Sequence, residues 1–248
     1  FNGQDLTDKI YDRSGQGNDG YYFNGGTSTA KVIGKIGQAL RFDGVNDRVL
    51  LSSVAGWDFY ANDFTVSWWE YRTSSASSST AINGRGNFNV VGSYLLGISD
   101  GSYLRIYMSH DGENFDIAAA ESLGPITLNT WNHFVVTRSG STFRAYKNNV
   151  QTDTWTSSDG ICSTGMCPGM WEVYFGYYNI GSYYFQGNLD EIRVYNRAIS
   201  TSEIFALYGA GTVAANASRN SKSVGGIVGL WSLDAKDLIS TIAYDRSG

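Results

Sequence analysis

Residues 64–71 read Phe-Thr-Val-Ser-Trp-Trp-Glu-Tyr, a run dominated by aromatic and β-branched side chains. Residues of these types favour β-strands. Runs of the same character, each bounded by Gly, Asn, Asp or Ser, occupy residues 94–98, 103–108, 133–138, 143–147, 171–176 and 191–195. Many short strands separated by tight turns predict an antiparallel β-sandwich or barrel.

The run Tyr103–Met108 alternates in polarity. Leu104, Ile106 and Met108 fall on one face, whereas Tyr103, Arg105 and Tyr107 fall on the other. This period of two is typical of a strand with one face in the core and one face outside.

Composition excludes two classes of protein. The chain has 248 residues, 42% of them hydrophobic and 15% aromatic, and a net charge of −5. A negative balance argues against nucleic acid as the partner, because phosphate binding needs clustered Lys and Arg. No apolar run approaches the ~20 residues of a membrane span. No signal peptide is visible at Phe1, and we expect the chain to be a piece of a longer protein.

Two cysteines, Cys162 and Cys167, lie in the Gly/Ser/Pro-containing segment Gly-Ile-Cys-Ser-Thr-Gly-Met-Cys-Pro-Gly. A short disulfide that pins a loop in an oxidising compartment is the favoured interpretation. Two free thiols are the alternative. A metal site is disfavoured because a second pair of ligands and a nearby His are missing from the sequence around them.

The amino-acid composition changes in the C-terminal part of the sequence. Ser200-Thr-Ser-Glu is a capping box, and it predicts a short helix of about two turns. Residues 210–226 are small and polar, which is typical of a linker. Residues 233–248 align with residues 1–15, and both copies end in Tyr-Asp-Arg-Ser-Gly. We therefore expect a β-sandwich at 1–209 that lacks its first strand. Residues 227–248 then either begin a second repeat or supply the strand that completes the first domain.

Five segments in this order resemble the concanavalin A-like lectin/glucanase superfamily, in particular its laminin G-like repeat. They are residues 11–20, 34–47, 64–69, 128–137 and 189–200. The resemblance implies an all-β, two-sheet antiparallel jelly-roll sandwich with one short C-terminal helix. It also implies a structural calcium in many members and a sugar site in some.

Calcium takes ~6–8 oxygen ligands from a loop that can wrap the ion. Residues 12–20 form such a Gly-rich loop, and the family topology would bring the carboxylate of Asp190 to it. The predicted ligands are Asp12, Asn18 and Asp190, completed by backbone carbonyls. The alternative is that Asp12 and Asn18 form Asx turns and that Asp190 accepts backbone N–H bonds.

Aromatic density predicts a ligand platform. Residues 170–185 contain two Tyr-Tyr pairs that flank a turn, so one ring of each pair should point outwards. Aromatic faces with neighbouring amides and guanidinium groups can hold sugar rings. Ordinary strand composition is the alternative. The candidate ligand-binding residues are Trp171, Tyr177, Tyr178, Asn179, Tyr183 and Tyr184, together with Arg85 and Asn87 from a second loop.

These features predict an extracellular or cell-surface adhesion module that binds a glycan or glycoprotein, with structural Ca²⁺ as its cofactor. No strand carries the alternating carboxylates that glycoside hydrolysis requires, so we expect no enzymatic activity. The alternative is a purely structural repeat of a surface filament, stalk or virion appendage that is assembled by strand donation. Such a repeat would contact only neighbouring repeats or copies of itself.

Overall fold

The computed structural model describes residues 8–23, 31–51, 55–85, 93–162, 172–212 and 227–231. Two antiparallel sheets, each of eight strands, make up most of this part of the chain. The all-β sandwich that the sequence predicts is therefore confirmed. No helix among the described residues is both long and apolar enough to cross a membrane.

The first sheet is ordered, from edge to edge, β1 (Asp8–Ile10), β2 (Gly20–Phe23), β5 (Arg48–Leu51), β14 (Glu172–Phe175), β7 (Ile82–Arg85), β8 (Tyr94–Ser99), β9 (Tyr103–Met108) and β10 (Ala118–Pro125). The second sheet is ordered β13 (Val150–Thr156), β12 (Thr142–Lys147), β11 (Trp131–Ser139), β6 (Phe64–Arg72), β17 (Gln186–Tyr195), β4 (Gln38–Asp43) and β3 (Lys31–Ile33), and β18 (Ile227–Trp231) pairs with β17 outside this path. A 3₁₀ turn (Ala55–Trp57) and a two-stranded hairpin, β15 (Tyr177–Tyr178) with β16 (Tyr183–Tyr184), lie outside the two sheets.

One hydrophobic cluster fills the space between the sheets. On β6 the alternation places Phe64, Val66 and Trp68 in this core. On β9 it places Leu104, Ile106 and Met108 there, as the sequence predicts. The 3₁₀ turn contributes Trp57, whose side chain is fully buried. Burial of these apolar surfaces provides the main stabilising free energy of the sandwich.

A buried ion pair interrupts this core. Glu70 and Arg72 follow Trp68 on the inward face of β6, and both side chains are almost fully buried. The Nε atom of Arg72 donates to Glu70 Oε1 at 3.0 Å. Nη2 reaches the first sheet and donates to the carbonyl of Gly97 in β8 at 2.9 Å. Nη1 donates at 2.6 Å to Oγ of Ser79, which lies in the loop between β6 and β7. Arg72 thus joins the two sheets from inside.

The outer face of the second sheet is covered by helix α1 (Thr201–Thr212). The capping box is confirmed, since the amide of Ser200 donates to Glu203 Oε2 at 2.7 Å and the amide of Glu203 to Ser200 Oγ at 3.3 Å. The helix has 12 residues rather than about two turns, so residues 210–212 of the expected linker are helical. Tyr208 stacks on Trp69 with ring centroids 5.7 Å apart. A Cβ atom at Gly211 would approach Trp69 to 2.3 Å, so only Gly permits this close approach.

Strand β17 changes partner along its length. Its first half, up to Leu189, pairs with β4, whereas Ile192 to Tyr195 pair with β18. Between the halves the register with β6 shifts, and Glu191 adopts a left-handed conformation with φ of 49°. This is the geometry of a β-bulge. The C-terminal segment of the chain therefore supplies a strand beside the second half of β17.

Candidate functional site

Six strands place one row of side chains across the outer face of the first sheet. The cross-strand register aligns Tyr21, Leu50, Tyr174, Asn83, Leu95 and Tyr107 in that order. Their chain neighbours Val49, Phe175 and Ile82 point into the core. Aromatic rings therefore stand on the outside of this sheet at intervals of two or three strands.

The β15–β16 hairpin packs onto this row. The ring of Tyr177 meets that of Tyr174 edge to face at 5.2 Å between centroids. Nδ2 of Asn83 donates to Oδ1 of Asn179 at 2.9 Å. At the turn, Ser182 adopts a left-handed φ of 56°. These contacts fix the hairpin against the sheet, so its tyrosines are held in place rather than displayed on a free loop.

A groove of about 340 Å³ opens between the hairpin and strands β8 and β9. We call it the tyrosine groove. Tyr178 lines it from the hairpin, while Tyr107 lines it from β9 and packs against Phe115 at 4.9 Å between centroids. The remaining lining residues are Ser77, Ser78, Leu95, Ile98, Ser99, Asp100 and Arg105. The volume lies at the lower end of the range of ligand pockets.

One ion pair supplies the charge in the tyrosine groove. Nε of Arg105 donates to Asp100 Oδ2 at 2.7 Å. The backbone amides of Tyr103 and Ser102, followed by Arg105, lower the pKa of Asp100 to about 2. Asp100 is therefore ionised at neutral pH and balances the guanidinium charge.

The hydroxyl of Tyr178 remains a donor. Its partial burial raises the pKa of Tyr178, and the neighbouring Tyr183 and Tyr107 add to the effect. The tyrosine groove thus combines aromatic surfaces, phenolic hydroxyls and a neutralised ion pair. Such a set can stack against an apolar ring face and exchange hydrogen bonds with hydroxyl groups.

The predicted ligand residues divide into three groups. Tyr178 lines the groove, and Tyr183 is 44% exposed at the tip of the hairpin. Tyr177, Tyr184 and Asn179 take part in holding the hairpin, with the rings of Tyr177 and Tyr184 4.8 Å apart. Trp171, Asn87 and the side chain of Arg85 lie outside the described part of the chain, although the backbone of Arg85 pairs with Glu172 in β7.

Tyr107, Phe115, Arg105 and Asp100 were not among the predicted ligand residues. The alternation of β9 does place Tyr107 and Arg105 on the outer face, which is the signal that could have identified them. Phe115 gives no such signal, because it lies in the loop after β9 and reaches the groove only through folding.

The predicted calcium ligands make local hydrogen bonds. Asp12 Oδ1 accepts the amide of Ser14 at 2.8 Å, and Oδ2 accepts the amide of Asn18 at 3.1 Å. Asp190 is fully buried at the β17 bulge, where Oδ2 accepts the amide of Ile36 at 2.9 Å. The sequence placed Asp190 just before a strand run at 191–195, whereas in the structure it lies in the middle of β17. Calcium binding by Asp12, Asn18 and Asp190 stays a prediction.

A different set of potential metal ligands lies in the loop after β9. Within the described ranges, His110, Asp111 and Asp116 form the one group whose ligand atoms all lie within 4.8 Å of one another. Hydrogen bonds inside the loop account for this arrangement. Asp116 contacts the ring of His110, and Asp111 Oδ1 accepts the amide of Glu113 at 2.8 Å. We assign no metal to this loop.

The disulfide stays a prediction. Cys162 is buried, with Sγ 2.8 Å from Ser93 Oγ. Cys167 lies outside the described residues.

Comparison with known proteins agrees with the fold. A family model described as Concanavalin A-like lectin/glucanases superfamily matches residues 43–205, which is more than half of the chain. The protein is therefore a concanavalin A-like sandwich of the laminin G type. It belongs to the Concanavalin A-like lectin/glucanases superfamily. No curated protein matches the chain significantly in sequence.

Solved structures with the same fold are distant in sequence. Domain 4 of an extracellular arabinanase from Geobacillus stearothermophilus, in complex with arabinotriose, has a TM-score of 0.57 and 18% identity, over 82% of this chain and 97% of that chain. The binding domain of Paraclostridial Mosquitocidal Protein 1 has a TM-score of 0.54 and 16% identity, over 81% and 52%. A putative carbohydrate binding protein from Bacteroides ovatus has a TM-score of 0.50 and 16% identity, over 81% and 52%. The chain thus spans about half of the latter two chains.

Proposed function

We propose that this protein is an extracellular carbohydrate-binding module and that the tyrosine groove holds the sugar. The observation that carries the proposal is the pairing of Tyr178 with Tyr107 and Phe115 across a groove of about 340 Å³. A pyranose or furanose ring has apolar faces and a rim of hydroxyls. Aromatic side chains can stack against the faces, and Arg105 and Asp100 can bond the hydroxyls.

The structural neighbours support this proposal. One is an arabinanase domain solved with arabinotriose, and another is described as a putative carbohydrate binding protein. Their identities to this chain lie below 20%, so they supply a fold with a precedent for sugar binding, and the groove supplies the site. A display context such as adhesion, in a surface protein with tandem copies, is part of the same proposal.

The binding test uses point variants of the groove. Tyr107→Ala and Tyr178→Ala should each weaken binding of glycans selected on a glycan array about five- to tenfold, because a stacked ring contributes on the order of 1 kcal/mol. Tyr21→Ala is the matched control, since Tyr21 is an exposed tyrosine on the same sheet face but outside the groove. Equal affinities for all four proteins would refute the assignment of the groove.

We propose binding without hydrolysis. Glycosidases use two carboxyl groups that flank the scissile bond. The lining of the tyrosine groove contains one carboxylate, Asp100, and that carboxylate is paired with Arg105. Reducing-sugar release from the bound glycan, abolished by Asp100→Asn, would contradict this part of the proposal.

A structural repeat is the second candidate function. The observation in its favour is the pairing of β18 with the second half of β17. A strand that pairs with one neighbour only among the described strands can be donated to another copy, as in other cases of strand addition. Light scattering after size-exclusion chromatography tests this function. Concentration-dependent oligomers that are lost when residues 225–248 are deleted would support it, and a monomer at all concentrations would oppose it.

A further inference from the structure

A second groove, of about 350 Å³, opens on the outer face of the other sheet. Strands β4 and β17 form its floor, with Arg41 opposite Asn188 and Asp43 opposite Gln186. Leu40 and Leu189, which alternate with these residues, point into the core. The groove therefore faces away from the sandwich. We call it the amide groove, after Gln186 and Asn188.

Three polar side chains of the amide groove, those of Arg41, Gln186 and Asn188, are free to bind a ligand. Within the described residues, the guanidinium of Arg41 forms no ion pair and no hydrogen bond, and neither side-chain amide is bonded. Asp43 uses Oδ1 to accept the amides of Val45 and Asn46 at 2.8 and 3.1 Å. These two bonds hold the carboxylate of Asp43 in place, and its Oδ2 atom remains available to accept a hydrogen bond from a ligand. This differs from the tyrosine groove, where Arg105 is already paired with Asp100.

Two aromatic side chains lie beside the amide groove on the neighbouring strands of the second sheet. Tyr71 lies directly opposite Asn188, and Trp131 lies opposite Tyr71 on the next strand. The two rings are 5.7 Å apart, and both side chains are only partly buried. Side chains directly opposite in an antiparallel pair lie within contact distance of one ligand. A ligand in the amide groove that extends across the sheet would therefore reach the ring of Tyr71.

We infer that the amide groove is a second saccharide-binding site and that its ligand is a neutral oligosaccharide. Arg41 and the two amides donate hydrogen bonds, whereas Asp43 and the amide oxygens accept them. Sugar hydroxyls need both kinds of partner. The lining sets the charge of Asp43 against that of Arg41, and the carboxyl group of Asp47 lies beside both, so the groove has no excess positive charge that would favour an anionic sugar.

Two saccharide sites on opposite faces make a monomer bivalent, so it bridges two glycan chains. This consequence, unlike the second site itself, rests on the proposed function of the tyrosine groove.

Isothermal titration calorimetry with arabinotriose, xylohexaose, cellohexaose and laminarihexaose tests the inference, with trigalacturonic acid as the anionic comparison. We expect two binding sites per chain for at least one neutral probe. The double variant Arg41→Ala/Asn188→Ala should bind normally at one site, and its affinity at the other site should fall at least tenfold. The double variant Tyr107→Ala/Tyr178→Ala should lose the complementary site. Arg144→Ala is the matched control, because Arg144 alternates with the core residues Phe143 and Ala145 on the same sheet. Thermal unfolding of each variant checks that it is folded.

The outcomes separate the two sites. A single site that is lost only in the tyrosine double variant overturns the amide groove and leaves the proposed function intact. A single site that is lost only in the Arg41 and Asn188 double variant supports the amide groove and overturns the tyrosine groove. Binding of trigalacturonic acid alone overturns the neutral ligand class. Binding of none of the probes overturns both sites.

Discussion

The stability of this protein should fall as the pH is lowered from 7 to 5, and His133 should account for much of the loss. His133 lies on β11 with only 1% of its surface exposed, in contact with Trp69 at 5.0 Å between ring centroids. Nε2 lies 2.9 Å from Ser67 Oγ, and within the described structure Nδ1 has no hydrogen-bond partner. Burial, followed by the charge of Arg193, lowers the pKa of His133 to about 3 from its ordinary 6.5.

The sign and size follow from proton linkage. Between about pH 3 and pH 6.5 the unfolded chain binds a proton at His133 that the folded chain does not bind. The free energy of unfolding therefore rises with pH throughout that window and falls on acidification. At pH 5 the loss from this single group amounts to about 2 kcal/mol relative to pH 7, since each pKa unit corresponds to about 1.4 kcal/mol. The loss is complete near pH 3.

Urea unfolding, followed by tryptophan fluorescence at pH 7 and pH 5, measures this loss. In His133→Gln the difference in unfolding free energy between pH 7 and pH 5 should be smaller by about 2 kcal/mol than in the wild type. This holds even if the substitution lowers the stability at pH 7. His110→Gln is the matched control with the opposite sign. Asp116 raises the pKa of the partly exposed His110, so His110 stabilises the fold below its ordinary pKa, and its removal should enlarge the acid loss. An unchanged pH difference in His133→Gln would refute the reasoning.

Three further predictions concern stability. Arg72→Met should lower the free energy of unfolding, measured in urea, by about 3–5 kcal/mol, because it leaves Glu70 as a buried unpaired charge. The double variant Glu70→Leu/Arg72→Met should recover most of this loss. Equal losses in the single and double variants would argue against the ion pair. Calcium at 100 times its dissociation constant should stabilise the fold by about 2.7 kcal/mol relative to chelator. Asp12→Ala or Asp190→Ala should remove this gain, and a melting temperature indifferent to chelator would exclude the site. Deleting residues 225–248 should lower the melting temperature or cause aggregation, because the edge of β17 loses its partner. A truncated protein that stays monomeric and keeps its melting temperature would show that β18 is dispensable.

The alternation of polarity made the core strands predictable from sequence. On β9 it separated Leu104 and Ile106 from Arg105 and Tyr107 correctly, because one face of that strand is buried and the other lines a groove. On β6 the sequence analysis did not predict that the charged side chain of Glu70 is buried inside the sandwich. Its burial depends on Arg72, whose guanidinium bonds to the opposite sheet.

The candidate site was predictable only in part. The aromatic density of the hairpin singled out Tyr178, which lines the tyrosine groove, and ligand binding by Tyr178 stays a prediction. The other wall of the groove depends on the packing of the hairpin against β9 and on the loop that carries Phe115, neither of which has a local signal. The predicted start of β17, at residue 191 rather than Gln186, was wrong for a related reason. A bulge is one extra residue in a strand, and its location is set by the pairing on both sides of β17 rather than by composition.

The change of partner along β17 also has a consequence for native-state hydrogen exchange. β4 and β18 pair with different halves of the strand, so β18 can detach without breaking any pair between β17 and β4. The amides that join β18 to β17 should then exchange through a local opening, at a free energy below that of global unfolding. Those that join β17 to β6 should exchange with the whole sandwich. β17 itself thus belongs to the global unit on both sides of Glu191, and β18 alone opens as a separate local unit.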